Sequence, residues 1–195
     1  MKAPEISVEL YRAVVEFAGG LPSWVHVLAE IGTDAGLVLF AVIFLLNWWL
    51  ARGGDPRRMA LALVGPVAVV GAYIVSEVTK TLIQQDRPCW SMAVATIAEC
   101  PAAGDWSFPS NHATIAAGAA GALMVVWRPS RYFALPLAAG MAFSRVFVGV
   151  HYPHDVLVGF LIGAILAPIL TLLLVGAVTP LIKVMRNKRI LHQLI

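Results

Sequence analysis

Apolar residues fall into five long blocks along this chain, separated by short polar segments. The blocks cover about residues 35–50, 59–83, 110–127, 132–150 and 153–179, and the first could begin as early as Trp24. Each approaches the length that a helix needs to cross a hydrocarbon core of about 30 Å. The pattern predicts an all-α fold, a polytopic membrane helical bundle of about five transmembrane helices.

The first 22 residues have a different pattern. Apolar side chains step along them by three or four residues, at Ile6, Leu10, Val14 and Phe17. Charged side chains fall on the opposite side, which predicts an amphipathic helix over about residues 5–18 that is too polar to span a bilayer. We expect this helix to lie flat at the membrane interface, and packing against a partner is the alternative.

Composition agrees with a membrane location. Hydrophobic residues make up 59% of the chain and charged residues 13%, and the mean hydropathy is +0.81. Soluble domains are about half apolar and about a quarter charged. The formal net charge is only +3, so nucleic acid is not an expected partner. We expect a single membrane-embedded domain over residues 1–195.

Basic residues predict the orientation of the bundle. The turns at 52–58 and 128–131 and the tail at 180–195 together hold nine of the fourteen Lys and Arg. Because cytoplasmic segments carry the excess of basic residues, we expect these segments and the C-terminus in the cytoplasm. The connection at 84–109 is then an extracytoplasmic loop of a cell-membrane protein, on the same side as the turn around His151.

The third apolar block is rich in small residues, with seven consecutive Ala or Gly at positions 116–122. Small faces let helices approach closely in lipid, where no hydrophobic force holds them together. We therefore expect this block to form a central helix of the bundle, with a structural role.

Three polar clusters stand at the predicted outer ends of the apolar blocks. They are Lys80 with Arg87-Pro88, then Pro109-Ser110-Asn111-His112, and then Ser144-Arg145 with His151 and Asp155. Lys80 and Arg87 would share a helix face if the helix continued that far. Charged groups in apolar spans are costly, so their default interpretation is functional.

The three cations Lys80, Arg87 and Arg145 would repel one another at one membrane face unless they held an anion between them. A phosphate group meets this requirement, and arginine can hold its oxygens bidentately. Ser110 stands in an N-cap position, so the free N–H groups of the following helix add a further anion-binding element.

The histidines predict the reaction. The carboxylate of Asp155 can orient the imidazole of His151, whose other nitrogen then attacks phosphorus and forms a phosphohistidine. His112 is placed to protonate the departing lipid oxygen and then to activate water. Because the cations stabilise the charge on phosphate, we expect neither a metal nor a cofactor. Each residue alone also has a structural interpretation, and their ordered combination favours the catalytic one.

At these residues the sequence resembles the type 2 phosphatidic acid phosphatase superfamily, whose signature is K-x6-RP, PSGH and SR-x5-H-x3-D. The resemblance covers about residues 59–165. It implies that phosphate is bound by Lys80, Arg87, Ser110 and Arg145. It also implies that His112 is the general acid, His151 the nucleophile and Asp155 its partner. The stretches Ser107–Ala113 and Phe143–Leu157 look most like bacterial undecaprenyl pyrophosphate phosphatases of the bacitracin-resistance type.

The resemblance implies a lipid phosphatase acting in the bilayer on a polyprenyl pyrophosphate. Phosphatases for phosphatidylglycerol phosphate, phosphatidic acid or decaprenylphosphoryl phosphoribose share the motifs and remain alternatives, as does a non-catalytic lipid-binding or transport protein. Asn111 departs from the family glycine. We expect its amide contact to survive and its side chain to meet the head group, which would affect the choice of substrate.

The remaining predictions concern supporting residues. Cys89 and Cys100 could form a disulfide if the loop is extracytoplasmic. Glu77 could pair with Lys80 on one helix face, and we expect Glu77 and Ser144 to lie behind the phosphate-binding residues. Glu30 and Asp34 are expected to be interfacial only. The sequence leaves the oligomeric state open.

Overall fold

The computed structural model describes residues 2–92 and 94–187, and within these ranges the fold is entirely helical. The α-helices are α1 (Glu5–Gly19), α2 (Ser23–Ala51), α3 (Pro56–Ile83), α4 (Pro88–Ser91), α5 (Asn111–Val126), α6 (Arg131–Phe147) and α7 (Pro153–Asn187). A 3-10 turn at Arg128–Ser130 joins α5 to α6. The all-α prediction is confirmed. Lys188 and Arg189 of the predicted basic tail lie outside the described residues.

Five helices correspond to the five predicted blocks. The helices α2, α3 and α7 are long and apolar enough to cross a membrane. By contrast, α5 and α6 have 16 and 17 residues, or about 24 and 26 Å at 1.5 Å per residue. Two of the three polar clusters lie at the ends of these shorter helices, with His112 in the first turn of α5 and Arg145 in the last turn of α6. The early start of the first block is confirmed, because α2 begins at Ser23.

The small-residue helix α5 is central, as predicted. It contacts α2, α3, α6 and α7, and ten of its sixteen residues are buried. On α7, Gly159 and Gly163 lie against the carbonyls of Ser110 and Thr114, where an added Cβ would collide with backbone. Without side chains between them, the two backbones approach closely and gain van der Waals contact.

The amphipathic helix α1 packs on α6 and α7, but not through its predicted apolar stripe. Its buried residues are Ser7, Tyr11, Val15 and Ala18, and the Tyr11 hydroxyl donates to the Gly149 carbonyl at 2.8 Å. The stripe with Ile6 and Phe17 is exposed. The helix therefore contacts protein on one face and presents apolar side chains outward on another, as an interfacial helix would.

The basic turns gather at the end of the bundle opposite the polar clusters. Arg57 and Arg58 line one cavity together with Trp127, which places the 52–58 and 126–133 segments side by side. Arg186 donates to the Gly54 carbonyl, so the described part of α7 ends there as well. The three segments share one end of the bundle, as the topology required. Which end faces the cytoplasm stays a prediction.

The connection after α3 differs from the prediction. Gln84 has φ 51° and a left-handed conformation, so the helix ends at Ile83 and never reaches Arg87. The condition under which Lys80 and Arg87 would share a helix face is therefore not met. Arg87 instead precedes α4 in an extended conformation. A disulfide joins Cys89 of α4 to Cys100, with their Cα atoms 5.9 Å apart.

Candidate active site

The three polar clusters meet at one end of the bundle. Lys80 reaches the site from the last turn of α3 and Arg87 from the loop, and both are 4% exposed. His151, in the turn between α6 and α7, is 1% exposed. His112 and Arg145 lie close enough for their charges to act on the His151 ring. Residues far apart in the sequence thus surround one imidazole.

Arg87 is the residue that joins the clusters. Its Nη1 donates to the Val150 carbonyl at 3.1 Å and lies 3.0 Å from His151 Nε2. Its Nη2 lies 3.0 Å from Asp105 Oδ1. The same carboxylate oxygen lies 3.1 Å from Lys80 Nζ. Lys80 therefore pairs with Asp105, and its predicted pairing with Glu77 is wrong.

Two buried polar atoms of the site lack partners within the protein. Among residues 2–92 and 94–187, three buried side-chain atoms make no hydrogen bond, and two of them are Ser110 Oγ and Arg145 Nε. Buried donors are nearly always satisfied in folded proteins, so a pair of unsatisfied donors at one site suits an added acceptor. Ser110 also occupies the predicted N-cap of α5, where the first N–H groups have no acceptor within the helix.

His151 is neutral, with its lone pair on Nε2. A guanidinium can only donate, so the nitrogen that faces Arg87 must accept and the proton must sit on Nδ1. Burial, followed by the charges of Arg87 and Arg145, lowers the pKa of His151 well below its ordinary value. A neutral imidazole with a free Nε2 lone pair is the form that can attack phosphorus.

Asp155 supports His151 through an intermediary. The distance from His151 Nδ1 to Asp155 Oδ2 is 3.6 Å, too long for the direct hydrogen bond that we expected. Ser107 lies between them, with its Oγ 2.5 Å from Asp155 Oδ2 and 3.4 Å from His151 Nδ1. The Tyr152 N–H and Gln85 Nε2 also donate to the carboxylate. These three hydrogen bonds fix Asp155 in place behind His151.

His112 has a partner on α2 that we did not anticipate. Its Nε2 lies 3.0 Å from Asp34 Oδ1. We expected Asp34 to be interfacial only, and this expectation is wrong. A carboxylate within an apolar helix is itself a signal of function, and Asp34 had that signal in the sequence.

The side chain of Asn111 bonds to two residues of α3. Its amide donates to Glu77 Oε2 at 2.5 Å and accepts from Ser76 Oγ at 2.8 Å. Its side chain is therefore held within the protein, and its expected contact with the head group stays a prediction. Asn111 begins α5 with helical geometry, which any residue can adopt, so a glycine is not required for the backbone. Glu77 holds Asn111, and through it the first turn of α5.

Ser144 lies behind Arg145 as expected. Its Oγ donates to the Met141 carbonyl at 2.7 Å and forms a hydrogen bond of 2.8 Å with the Thr33 hydroxyl. The bond to Thr33 ties α6 to α2 beside the helix end that carries Arg145, at the residue before Asp34.

A family model described as the PAP2 superfamily matches residues 60–178, and this range contains all three polar clusters. The chain belongs to the PAP2 superfamily. The resemblance predicted from the motifs is thereby confirmed.

Several PAP2 relatives are similar to this chain. Undecaprenyl-diphosphatase of Sulfolobus acidocaldarius is 34% identical over 110 residues, which cover 55% of this chain and 52% of that protein. Decaprenylphosphoryl-5-phosphoribose phosphatase of Mycobacterium tuberculosis is 36% identical over 109 residues, 56% of this chain and 59% of that protein. The chain thus spans little more than half the length of these two relatives. Undecaprenyl-diphosphatase BcrC of Bacillus subtilis is 34% identical over 69% of this chain and 66% of its own.

A solved structure has the same PAP2 fold. The transmembrane PAP2-type phosphatidylglycerolphosphate phosphatase of Bacillus subtilis superposes with a TM-score of 0.64. The match covers 89% of this chain and 86% of the other, at 22% identity. Together with the apolar helices, this likeness identifies the chain as a multi-pass membrane protein.

An apolar groove opens beside the PAP2 site. It has a volume of about 640 Å³ and lies between α2, α3 and α5. Leu37 and Ile115 line it, each one turn along its helix from Asp34 and His112, and the groove continues to Trp48 near the other end of α2. A molecule bound in this groove would therefore approach the site from the side of His112.

Proposed function

We propose that this chain is an integral membrane lipid phosphatase that hydrolyses a phosphate or pyrophosphate head group through a phosphohistidine at His151. The substrate that we propose is undecaprenyl or another polyprenyl pyrophosphate, converted to the monophosphate. The proposal depends on one observation, the 3.0 Å contact between Arg87 Nη1 and His151 Nε2. It puts a phosphate-binding guanidinium beside the lone pair of a buried neutral imidazole.

Substrate binding uses the donors that face the site. The cations Lys80, Arg87 and Arg145 take the non-bridging oxygens, and the Ser110 hydroxyl and the N-terminus of α5 add neutral donors. When Arg87 turns from His151 to a phosphate oxygen, it releases the Nε2 lone pair. Binding of the head group therefore also activates the nucleophile.

The first chemical step transfers the phosphoryl group to His151. A bond forms between Nε2 and phosphorus while the bond from phosphorus to the leaving oxygen breaks, and His112 gives its proton to that oxygen. The imidazole of His151 becomes cationic, since Nδ1 keeps its proton. The carboxylate of Asp155, reached through Ser107, stabilises this charge.

The second step hydrolyses the phosphohistidine. His112, now neutral, takes a proton from water as the water oxygen attacks phosphorus, and the bond to Nε2 breaks. Inorganic phosphate and the neutral form of His151 are regenerated.

Asp34 positions the general acid in this scheme. When His112 is protonated, its Nε2–H group donates to Asp34. The proton on Nδ1 is then available for the departing oxygen. The carboxylate orients the ring and favours its cationic form. Asp34 does not touch the substrate.

A lipid with an extended apolar tail suits the groove beside His112. The leaving group of a polyprenyl pyrophosphate carries such a tail, and the Sulfolobus and Bacillus relatives are named for undecaprenyl diphosphate. Decaprenylphosphoryl phosphoribose is the second candidate, because the Mycobacterium relative is named for it. We further propose an extracytoplasmic site and a cytoplasmic C-terminus, since the basic turns lie at the opposite end of the bundle.

Phosphate release by the purified protein in detergent tests the proposal. The panel contains undecaprenyl pyrophosphate, decaprenylphosphoryl phosphoribose, phosphatidylglycerol phosphate and phosphatidate, each with and without a chelator. We expect the pyrophosphate to be preferred and the chelator to have no effect. We expect His151→Ala to lower kcat by about 1,000-fold or more, as loss of a nucleophile does. Full activity in this variant would disprove the mechanism, and preference for another lipid would change the substrate only.

A further inference from the structure

A short strap crosses the cation pair of the site. The strap comprises residues 101–106 and is anchored at both ends. At one end, Cys100 is bonded to Cys89 and the Pro101 carbonyl accepts from Trp90 Nε1 at 2.9 Å. At the other end, the N–H of the adjoining Ser107 donates to the Gln85 carbonyl at 2.7 Å. Between these anchors, Gly104 adopts φ +92°, a conformation open mainly to glycine.

The strap carries a carboxylate into the site. Asp105 Oδ1 lies 3.1 Å from Lys80 Nζ and 3.0 Å from Arg87 Nη2. The side chain of Asp105 is 48% exposed, while the side chains of its two partners are 5% and 4% exposed. Burial opposes ionisation, but the charges of Arg87 and Lys80 outweigh it and hold the pKa of Asp105 below its ordinary value. Asp105 is therefore an anion at neutral pH.

The donors that hold Asp105 are the donors that our proposed function assigns to phosphate. Arg87 uses Nη2 for the Asp105 carboxylate and Nε for the Asp105 carbonyl, at 2.7 Å. A phosphate oxygen that took these positions would lie within a few ångströms of a second anion. Like charges at such a distance repel strongly where water is scarce. Asp105 and a bound phosphate thus compete for one place.

The structure offers room for the carboxylate to withdraw. A cavity of about 360 Å³ lies beside the strap and is lined by Asp86, Arg87, Trp90, Gly104 and Asp105. A Cβ added to Gly104 would meet no atom within 4 Å, so the turn itself is not packed against the protein. The side chain of Asp105 can leave the cations without unpacking the bundle.

Resting on the proposed function, we propose that Asp105 is a specificity-determining residue that occupies the phosphate place in the free enzyme. The head group of the substrate displaces it, and Asp105 returns to Lys80 and Arg87 as inorganic phosphate leaves. Any anion that binds must compensate for the loss of the two ion pairs that Asp105 makes with Lys80 and Arg87. A lipid substrate does so with contacts along its whole length, whereas free phosphate has only its charge. The product therefore binds weakly.

Binding of inorganic phosphate to the purified full-length protein tests this inference without turnover. The variants are Asp105→Asn and the control Asp86→Asn, which removes the same charge from the wall of the same cavity. Calorimetric titration gives the Kd, and vanadate serves as a second probe. We expect Asp105→Asn to bind phosphate about 10-fold more tightly, equivalent to about 1.4 kcal/mol, and Asp86→Asn to stay within about 2-fold of wild type.

Unchanged or weaker phosphate binding in Asp105→Asn would overturn the inference, because a carboxylate that only organises the cations would have that effect. Asp105→Ser is a second neutral variant, and helical circular dichroism checks that both fold. Arg87→Ala separates the two proposals. If it abolishes phosphate binding while Asp105→Asn fails to tighten it, only the inference about Asp105 fails. If phosphate binding survives in Arg87→Ala, the proposed phosphate site of Lys80, Arg87 and Arg145 is itself wrong.

Discussion

Both ends of this helical bundle carry clusters of cations, and the two clusters are built differently. At one end Arg57, Arg58 and Arg128 are exposed, and Arg52 stacks on the Trp49 ring at 3.3 Å. At the other end Lys80 and Arg87 are nearly buried. Exposed cations keep their hydration and need no partner. Buried cations lose it, so they must find anions within the protein or in a ligand.

The difference explains why the end with buried cations suits chemistry on an anion. The buried cations lie beside the neutral imidazole of His151, two unsatisfied donors and the carboxylate of Asp105. Water is scarce there, so each charge acts strongly on its neighbours. At the opposite end we expect the exposed residues of the same types to affect the orientation of the protein in the membrane through their charge.

Exchange of arginine for lysine at the two ends should give the largest contrast. Arg87→Lys keeps the charge but loses the planar fork that reaches Asp105, Val150 and His151 together. We expect kcat/KM for the polyprenyl pyrophosphate to fall by about 100-fold. The matched Arg58→Lys change at the exposed end should alter it by less than about 2-fold. Equal effects in phosphate-release assays would mean that burial does not distinguish the two ends.

Removal of the carboxylate beside His112 should have a smaller effect. Asp34→Asn is expected to lower kcat for the lipid substrate by about 10-fold with little change in KM, because a disoriented general acid affects the chemical step. Glu30→Gln, one turn away on α2, is the control. With 4-nitrophenyl phosphate, whose leaving group needs no proton, the rate of the first step alone, measured as the burst of 4-nitrophenolate, should fall by less than about 2-fold.

A general defect in folding would lower the rates of both substrates alike. An equal loss in the burst rate with 4-nitrophenyl phosphate would therefore contradict the positioning role of Asp34. Recovery of activity in Asp34→Glu would support it, since that variant keeps the carboxylate.

The pH dependence should show the smallest effect. His151 must be neutral to attack, and burial together with Arg87 lowers its pKa well below the ordinary value. We expect kcat/KM to fall by less than about 2-fold as the pH drops from 7 to 6, across the ordinary pKa of about 6.5. A fall in kcat/KM with a midpoint at or above pH 6.5 would show that the pKa of His151 is not lowered by its surroundings.

The same depressed pKa also affects stability. Below about pH 6.5 the unfolded chain takes up a proton at His151 that the folded protein does not. This group therefore lowers the free energy of unfolding as the pH falls from about 6.5 toward its folded pKa. Measurement of the unfolding temperature against pH should show a weaker acid dependence in His151→Gln than in the wild type.

Much of the fold and half of the site could be predicted from the sequence. Long apolar blocks located the five bundle helices, because a helix that crosses a hydrocarbon core must be apolar along most of its length. The small-residue run placed α5 at the centre, and the spacing of Lys80, Arg87, His112, Arg145 and His151 indicated a phosphate cradle. Prediction failed where a contact joined segments without a shared pattern. Asp34 and His112 are 78 positions apart, and Asp105 belongs to a loop with no periodicity.

Local chemistry alone was thus enough to indicate a membrane bundle with a cationic, histidine-bearing end, because hydropathy, charge and motif spacing are properties of short stretches. Only the folded chain decided how those groups are paired. The left-handed turn at Gln84 separates Arg87 from the helix of Lys80. The strap then brings Asp105 to both cations, and Ser107 enters between His151 and Asp155. Such pairings depend on distances between remote segments, which only the packing of the helices sets.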